Sequence, residues 1–525
     1  MGIFTFIRRH QIAVVAMCLA ASRVAVVVAL PASSVDNAFE DDAFYYFAIA
    51  RNISHGLGST FNGIDLTNGY HPLWLCLLVP IFWSLPSTPA ALTGVTVVAA
   101  ILMLVAAASL DRIRPMLGGA KFTLSVTPLV LVGSVGPSLW FNGMETGLLL
   151  TCMILLGEQY VRSQGFRLDL LAMRDQLTIG ALVTLCILAR LDSAIVLGGL
   201  FLWLCLGPPK AERWDINFAL QTASIPFVTL TSYLVLNQAI FGTWTPVSGQ
   251  AKALGDGGNA NTLVQFLASP PLFDRNTWLG AVAIIVALSM IYARRKVNGT
   301  VSHALIFGAI VIVGGFLTMT YYAINSSWSL WPWYFYTSPL GLAFTLPALF
   351  AAIRISRNVA RLLALVTMVG MLSASIMWAQ LSLGGQRGQA FVRDAAKVAT
   401  MVDAIPVNGP AAIGDRAGAL GFNMQRPIVH LEGLVGPASY LEALRNADVA
   451  SFLHDRGVGL YIRVDAFAGA PEPTAGTGCR SFPEPNQGRG PKVRITVCDQ
   501  DLVLDHPLAD GTSYRVWRYR AEINH

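Results

Sequence analysis

The chain alternates long apolar runs with short polar breaks up to about residue 380 and then changes character. Apolar segments fall near 11–30, 71–88, 90–110, 122–137, 146–161, 177–191, 193–207, 217–240, 278–293, 302–321, 335–353 and 362–380. Many approach the roughly 20 residues an α-helix needs to cross a bilayer. Each therefore predicts a membrane helix. The weak member is 71–88, which Pro72, Pro80 and Pro86 interrupt and which only a short polar break separates from the next run. The first run follows Arg8-Arg9-His10, as in a signal peptide. It is long enough to span, however, and no convincing small-residue cleavage site precedes the polar stretch after it, so it reads as a retained first helix.

From about residue 381 the pattern shortens. AAIG, PIVHL, GLYIRV and VRITVC read as strands, while VRDAAKVATMVDAI and ASYLEALRNADVASFLHDR carry helical periodicity. AGAPEPTAGTG and FPEPNQGRGP read as loops. GDRAGALGF is glycine-rich without matching a dinucleotide fingerprint, and reads as a strand-to-helix turn. The expectation is a polytopic all-α membrane domain over 1–380 and a soluble α/β domain over 381–525.

Charge decides the topology. Taking 71–88 as a re-entrant or surface helix of a first outward loop (31–89) segregates the basic residues. Arg8 and Arg9, Arg112, Arg114 and Lys121, Arg162, Arg167 and Arg174, Lys210 and Arg213, Arg294 to Lys296, and Arg354, Arg357 and Arg361 then share one side. The other side carries Arg51, Arg190, Lys252 and Arg275. Counting 71–88 as a span breaks this segregation. The positive-inside rule therefore predicts about eleven transmembrane helices, a cytoplasmic N-terminus and an extracytoplasmic C-terminal domain.

Composition agrees: 54% of the 525 residues are hydrophobic and 13% charged, against about 25% charged in soluble domains. There is no Walker motif to drive a nucleotide-powered pump, and no inverted sequence repeat of the kind many transporters use. Cys18, Cys76, Cys152, Cys186 and Cys205 lie in or beside apolar runs and read as packing residues. Cys479 and Cys498 lie in the polar region. They can pair if that region is extracytoplasmic, and both the paired and the free state stay open.

On this topology the outer face collects the informative residues. The stretch 39–74 holds Asp41 and Asp42 after Glu40, then Phe44, Tyr45, Tyr46 and Phe47, a Gly/Asn-rich loop, and His71-Pro72. Acid this dense at the mouth of a membrane bundle is costly unless solvated or used. SLWFNGMET (138–146), ARLDS (189–193), FGTWTPVSGQAK (241–252) and SSWSLWPWYFY (326–336) lie on the same face.

EDDAFYY, followed by NxxxGxGxxFNG from Asn52 to Gly63 and by TNGYHPLW, resembles the GT-C superfamily of membrane glycosyltransferases, whose members use polyprenyl-phosphate-linked sugars as donors. Protein O-mannosyltransferases, aminoarabinose transferases, oligosaccharyltransferase catalytic subunits and mycobacterial arabinofuranosyltransferases share the plan. The resemblance covers most of the chain in topology. In motif it rests on residues 39–74, 140–146 and 189–193. The second acid of the pair is Asp here, where several relatives have Glu.

The resemblance implies a GT-C fold with a C-terminal α/β domain at the bacterial inner (plasma) membrane. The implied reaction is transfer from a polyprenyl-phosphate sugar to an envelope glycan, lipid or protein, with inversion. Such transfer needs a base for the acceptor hydroxyl, a cation or N–H donors for the leaving phosphate, and exclusion of water. By resemblance Asp41 is the base. Asp42 would orient the acceptor, tune Asp41 by like-charge coupling, or bind a divalent cation, the one cofactor in view. The plain alternative is that the pair caps the following helix.

Glu145 and Asp192 are candidates for the acceptor or a metal. Their plain readings are first-turn helix electrostatics and a local pair with Arg190. Lys252 and Arg190 are candidates for the donor phosphate. His71 would bind phosphate or acceptor, or serve as a turn residue before Pro72. Tyr45 and Tyr46 are sugar-contact candidates. Trp328, Trp331, Trp333, Tyr334 and Tyr336 would stack on sugar or form an interfacial aromatic belt. No nucleic-acid partner is implied. A transporter or flippase of lipid-linked sugars is the competing class, and it predicts functional acids at the bilayer midplane rather than at its outer boundary.

Overall fold

The computed structural model describes residues 10–85, 87–117, 139–206, 216–254, 258, 262–264, 299–328, 330–352, 356–385, 389–465, 478–484 and 493–523. The apolar segments near 122–137 and 278–293, and Arg275, lie outside them. Every other apolar segment contains a helix among its described residues. In chain order the helices are α1 (Gln11–Ala29), α2 (Asp41–Ser54), α3 (Pro72–Ser84), α4 (Thr88–Ile113), α5 (Thr146–Arg162) and α6 (Met173–Ala189). They continue with α7 (Ser193–Leu206), α8 (Ile216–Phe241), α9 (Val247–Lys252), α10 (Thr300–Asn325), α11 (Thr337–Ala352) and α12 (Arg357–Leu383).

Five stretches among the described residues are long and apolar enough to cross a membrane: Gln11–Ala29, Thr88–Met116, Asn217–Phe241, Thr300–Asn325 and Leu365–Leu383. Several of them keep large apolar side chains outward, among them Phe227, Val228, Leu236, Leu365 and Leu372. Helices apolar on every face are suited to a lipid surround. The chain is a membrane protein. Helix α3 is only 13 residues long and rises about 20 Å, short of the roughly 30 Å hydrocarbon core. It opens with Pro72 in its first turn, where a missing N–H costs nothing.

Polar residues tie the bundle at the arginine-rich end. Asp111 accepts the Ile12 and Ala13 amides at 3.3 and 2.9 Å, capping α1. Glu158 on α5 accepts from Ser109, Arg112 and Arg162.

The strands expected from AAIG, PIVHL, GLYIRV and VRITVC all form. After α13 (Ala390–Asp403) come β1 (Ala411–Ile413), α14 (Gly418–Asn423), β2 (Ile428–His430), α15 (Ala438–Arg445), α16 (Val449–Asp455) and β3 (Leu460–Asp465). Strands β4 (Cys479–Glu484), β5 (Val493–Cys498), β6 (Leu502–Pro507) and β7 (Ser513–Arg518) follow. The main sheet runs β2-β1-β3-β7-β6, with β1 parallel to both β2 and β3 and the β3–β7 and β7–β6 pairs antiparallel. The single helical stretch read over ASYLEALRNADVASFLHDR is two helices. They break at Ala447, whose φ is 54°.

Strand β1 lies between β2 and β3, so the chain leaves β1 to one side and later returns on the other. The crevice beyond the carboxyl end of such a strand is where open α/β sheets bind ligands. The loops after β1 and β2 face the membrane domain.

Cys479 and Cys498 are paired across the β4–β5 ladder and form a disulfide. The loop it closes has a sequence separation of 19 residues. Cys479→Ser is expected to cost about 3 kcal/mol of domain stability, from loop-closure entropy alone. Thermal unfolding of the oxidised protein and the variant checks this, and equal midpoints would refute it.

Candidate active site

Glu40 is the extended residue before α2, and Asp41 and Asp42 fill its first turn. Acid there suits the helix dipole, yet Asp41 does not cap its own helix. Its oxygens accept the backbone N–H of Gly418 at 3.1 Å and of Ala419 at 2.7 Å. These are first-turn amides of α14, in the C-terminal domain. The capping alternative is thus realised on a helix 377 residues away in sequence. Asp42 is partly buried, and its carboxylate accepts no hydrogen bond among the described residues.

Burial raises both acids above the ordinary carboxylate range. Asp41 is pushed up to about 7, with the Asp42 charge adding to the shift and the two amides opposing it. Asp42 is pushed up to about 6, with Lys252 opposing and Asp415 and Glu40 adding.

The pair lines a partly enclosed cavity of about 100 Å³ between the helical bundle and the C-terminal sheet region. The membrane side contributes Lys252, Tyr322, Trp331 and Tyr334, and the C-terminal side Asp415, Arg416 and Glu432. Trp331 and Trp333 stack at 5.7 Å with planes 10° apart, and Trp331 is 41% exposed. The aromatic loop 326–336 therefore faces the cavity rather than forming only a belt.

Beneath the cavity lies a buried ion network. Arg190 donates to Glu145 at 3.2 Å, to Asp192 at 2.9 Å and to the Trp333 carbonyl at 3.3 Å. Its guanidinium packs 4.2 Å from the centroid of the Tyr334 ring. Tyr322 donates to Asp192 at 3.0 Å. Tyr334 in turn accepts from Lys252 Nζ at 2.8 Å. Glu145 also accepts from Tyr46 at 3.0 Å, and its Oε1 lies 3.8 Å from His71 Nε2. The NGMET turn that carries Glu145 needs Gly143. Its φ is 85°, and a Cβ there would meet Ala43, Phe39 and Phe47 at 2.7–2.8 Å.

Of the residues singled out in the sequence, Asp41, Asp42 and Lys252 meet at the cavity. Glu145, Asp192, Arg190 and His71 are brought together one layer below and do not line it. The local Arg190–Asp192 pair is present, widened to a triad by Glu145. His71 accepts the Leu191 amide through Nδ1 at 3.4 Å, a turn-residue role in which burial lowers its pKa. Tyr45 and Tyr46 are buried and absent from the cavity wall. The Tyr45 hydroxyl meets His430 at 3.2 Å. Both tyrosines pack within the first loop in this structure. Sequence reasoning missed Asp415, Arg416 and Glu432. The one available signal was the adjacent Asp-Arg inside a glycine-rich turn after a strand.

The contact between α2 and α14 leaves no spare room. A Cβ on Gly418 would sit 2.1 Å from the Asp41 carbonyl oxygen and 3.0 Å from its carboxyl carbon. Gly418→Val is therefore expected to push α14 off α2 and release both Asp41 hydrogen bonds. Faster hydrogen exchange at the 418–423 amides reads this, and unchanged exchange would refute it.

A helical membrane bundle, an acidic first-loop helix folded onto it and an α/β domain closing the shared cavity define a membrane protein with the GT-C fold. The chain is similar over 95% of its length to apo ArnT from Cupriavidus metallidurans, covering 98% of that chain at a TM-score of 0.54 and 13% identity. The same protein bound to undecaprenyl phosphate matches at TM-score 0.51 and 12% identity, over 90% of this chain and 97% of that one. The apo oligosaccharyltransferase of Archaeoglobus fulgidus matches 90% of this chain and 71% of its own at TM-score 0.53 and 10% identity. At these identities the likeness is one of fold. No family model and no curated protein matches the sequence.

Proposed function

We propose that this chain is a membrane glycosyltransferase that takes a sugar from a polyprenyl phosphate and attaches it, with inversion, to an envelope glycan, lipid or protein. The observation that carries the reading is the cavity itself. It joins two carboxylates of raised pKa, a lysine held by Tyr334, and an exposed tryptophan face at the seam of the two domains. Two matched structures hold lipid phosphates, undecaprenyl phosphate on ArnT and dolichol-phosphate on the archaeal oligosaccharyltransferase.

In this reading the acceptor hydroxyl loses its proton to a carboxylate of the pair. Its oxygen forms the new bond to the anomeric carbon as the bond from that carbon to the phosphate oxygen breaks. The polyprenyl phosphate departs with the bonding electrons, and Lys252 balances its charge. The resemblance assigns the base to Asp41. A second assignment, to Asp42, is favoured because that carboxylate accepts no hydrogen bond among the described residues. A pKa of 6–7 suits a base at neutral pH in either case. Trp331 offers a flat face for a sugar ring.

Among the described residues no group of three or more His, Cys, Asp or Glu side chains could hold a metal ion. At about 100 Å³ the cavity is tighter than the roughly 300 Å³ of small-molecule sites, so transfer requires the C-terminal domain or the aromatic loop to move. An apolar groove of about 460 Å³ beside α3, lined by Tyr70, Leu75, Val79 and Leu236, suits a prenyl chain. The division near residue 381 and the outward placement of the C-terminal domain belong to this reading, and the Cys479–Cys498 disulfide suits an oxidising compartment.

The test is incubation of the purified protein in nanodiscs with a panel of polyprenyl-phosphate sugars and envelope extract. Sugar transfer is expected with at least one donor. Translocation of a donor across liposomes without transfer would give the case to the flippase class.

A further inference from the structure

The cavity contains a second cation that belongs to the C-terminal domain. Arg416 follows β1 by three residues and lines the cavity with Asp41, Asp42 and Lys252. Its backbone is left-handed, with φ 66°. That conformation is unfavourable for a residue with a Cβ, and where it persists it gathers at functional sites. Its Nη1 is fully buried and has no hydrogen-bond partner among the described residues, although buried guanidinium N–H groups are normally satisfied. The neighbouring Asp415 carboxylate is 3.9 Å from Nε, beyond hydrogen-bonding distance. The guanidinium instead packs 4.8 Å from the centroid of the Phe391 ring, which directs it without satisfying its donors. Strain, an unused buried donor and a position beyond the carboxyl end of β1, beside the sheet's switch point, converge on one residue.

We propose that Arg416 is the second anchor for the donor's phosphate, acting from the C-terminal wall of the cavity while Lys252 acts from the membrane wall. This rests on the lipid-phosphate reading above. Once the cavity opens to admit the donor, Nη1 donates to a phosphate oxygen, the planar fork matching that geometry better than an ammonium does. The strained turn is retained because it delivers the guanidinium to the anion. The C-terminal domain thus reads donor occupancy directly, and donor binding favours the closed seam.

The full-length protein in nanodiscs is titrated with undecaprenyl phosphate, inorganic phosphate and undecaprenol, followed by quenching of the cavity tryptophans. Arg416→Gly and Arg416→Asn both tolerate a left-handed backbone. Both are expected to bind undecaprenyl phosphate about tenfold to a hundredfold more weakly, the weight of a charge-assisted hydrogen bond. Undecaprenol binding stays unchanged, and thermal midpoints stay equal or rise as strain is relieved. Arg416→Lys recovers part of the affinity.

Equal undecaprenyl phosphate binding by wild type and Arg416→Gly overturns the assignment and leaves the transferase reading standing. Parallel losses of midpoint and undecaprenol binding also overturn it, in favour of a structural role. Loss of inorganic phosphate binding alone would show a site for free phosphate instead. A wild type that binds no lipid phosphate overturns both this assignment and the reading beneath it.

Discussion

Neutralising the acid pair is expected to remove glycosyl transfer while the protein stays folded. Asp41→Asn and Asp42→Asn keep side-chain size and delete the proton acceptor. The variant that loses the base should fall by about 10²–10⁴-fold, the range of general-base contributions. The other, which alters only the field and orientation, should fall less, so the pair of rates assigns the roles. If neither falls more than about tenfold, the base lies elsewhere.

The pH profile follows from the same environment. The base works as a carboxylate, so transfer should rise with pH and level off above about 6 if Asp42 is the base, or above about 7 if Asp41 is. The stability effect has the opposite sign. Because burial raises these pKa values, the folded state binds protons that the unfolded state releases. Stability is therefore lost as pH rises from about 4 through the folded-state values. Asp42 accepts no hydrogen bond among the described residues, so Asp42→Asn should unfold no earlier than wild type at pH 8. A loss of transfer with stability kept or gained is the signature of a residue held for function. A lowered midpoint at pH 8 would make Asp42 structural.

Arg190→Met is the substitution expected to damage the fold most, by about 3–5 kcal/mol. Arg190 and Glu145 are 2% and 1% exposed. Removing the guanidinium leaves Glu145 and Asp192 buried without their counter-charge, and it also removes the group beneath the Tyr334 ring. Arg190→Lys keeps the charge but loses the fork that reaches Glu145, Asp192 and the Trp333 carbonyl together, so it should lie in between. Adding Glu145→Gln to Arg190→Met should restore part of the loss. Thermal unfolding in one fixed detergent reads the series. A stable Arg190→Met protein that has lost only phosphate binding would return Arg190 to the role of donor anchor.

Much of the architecture was legible along the chain because the physical signals are local. A run of apolar residues becomes a helix in lipid wherever it sits, since backbone groups there must bond within the segment. The short strands of the C-terminal domain announced themselves by β-branched runs between glycines and prolines. The acid pair stood out for the same reason, as charge placed where an apolar surround makes it expensive. The motif around it carried the GT-C resemblance, and the fold is similar to that of ArnT and the archaeal oligosaccharyltransferase.

What only the tertiary structure decided is which groups meet. Arg190 looked available for a phosphate because the outer face has few cations. Folding instead buries it between Glu145, 45 residues earlier, and the Trp333 carbonyl, 143 residues later. Tyr45 and Tyr46 are next to the acids in sequence, yet the helix turns them into the packing. Asp41 caps a helix in another domain, and Arg416 reaches the cavity from beyond a strand end. Helix and strand preferences are set by residues a few positions apart. A buried charge is set by whatever partner the fold brings within about 4 Å, and no spacing along the chain records that distance.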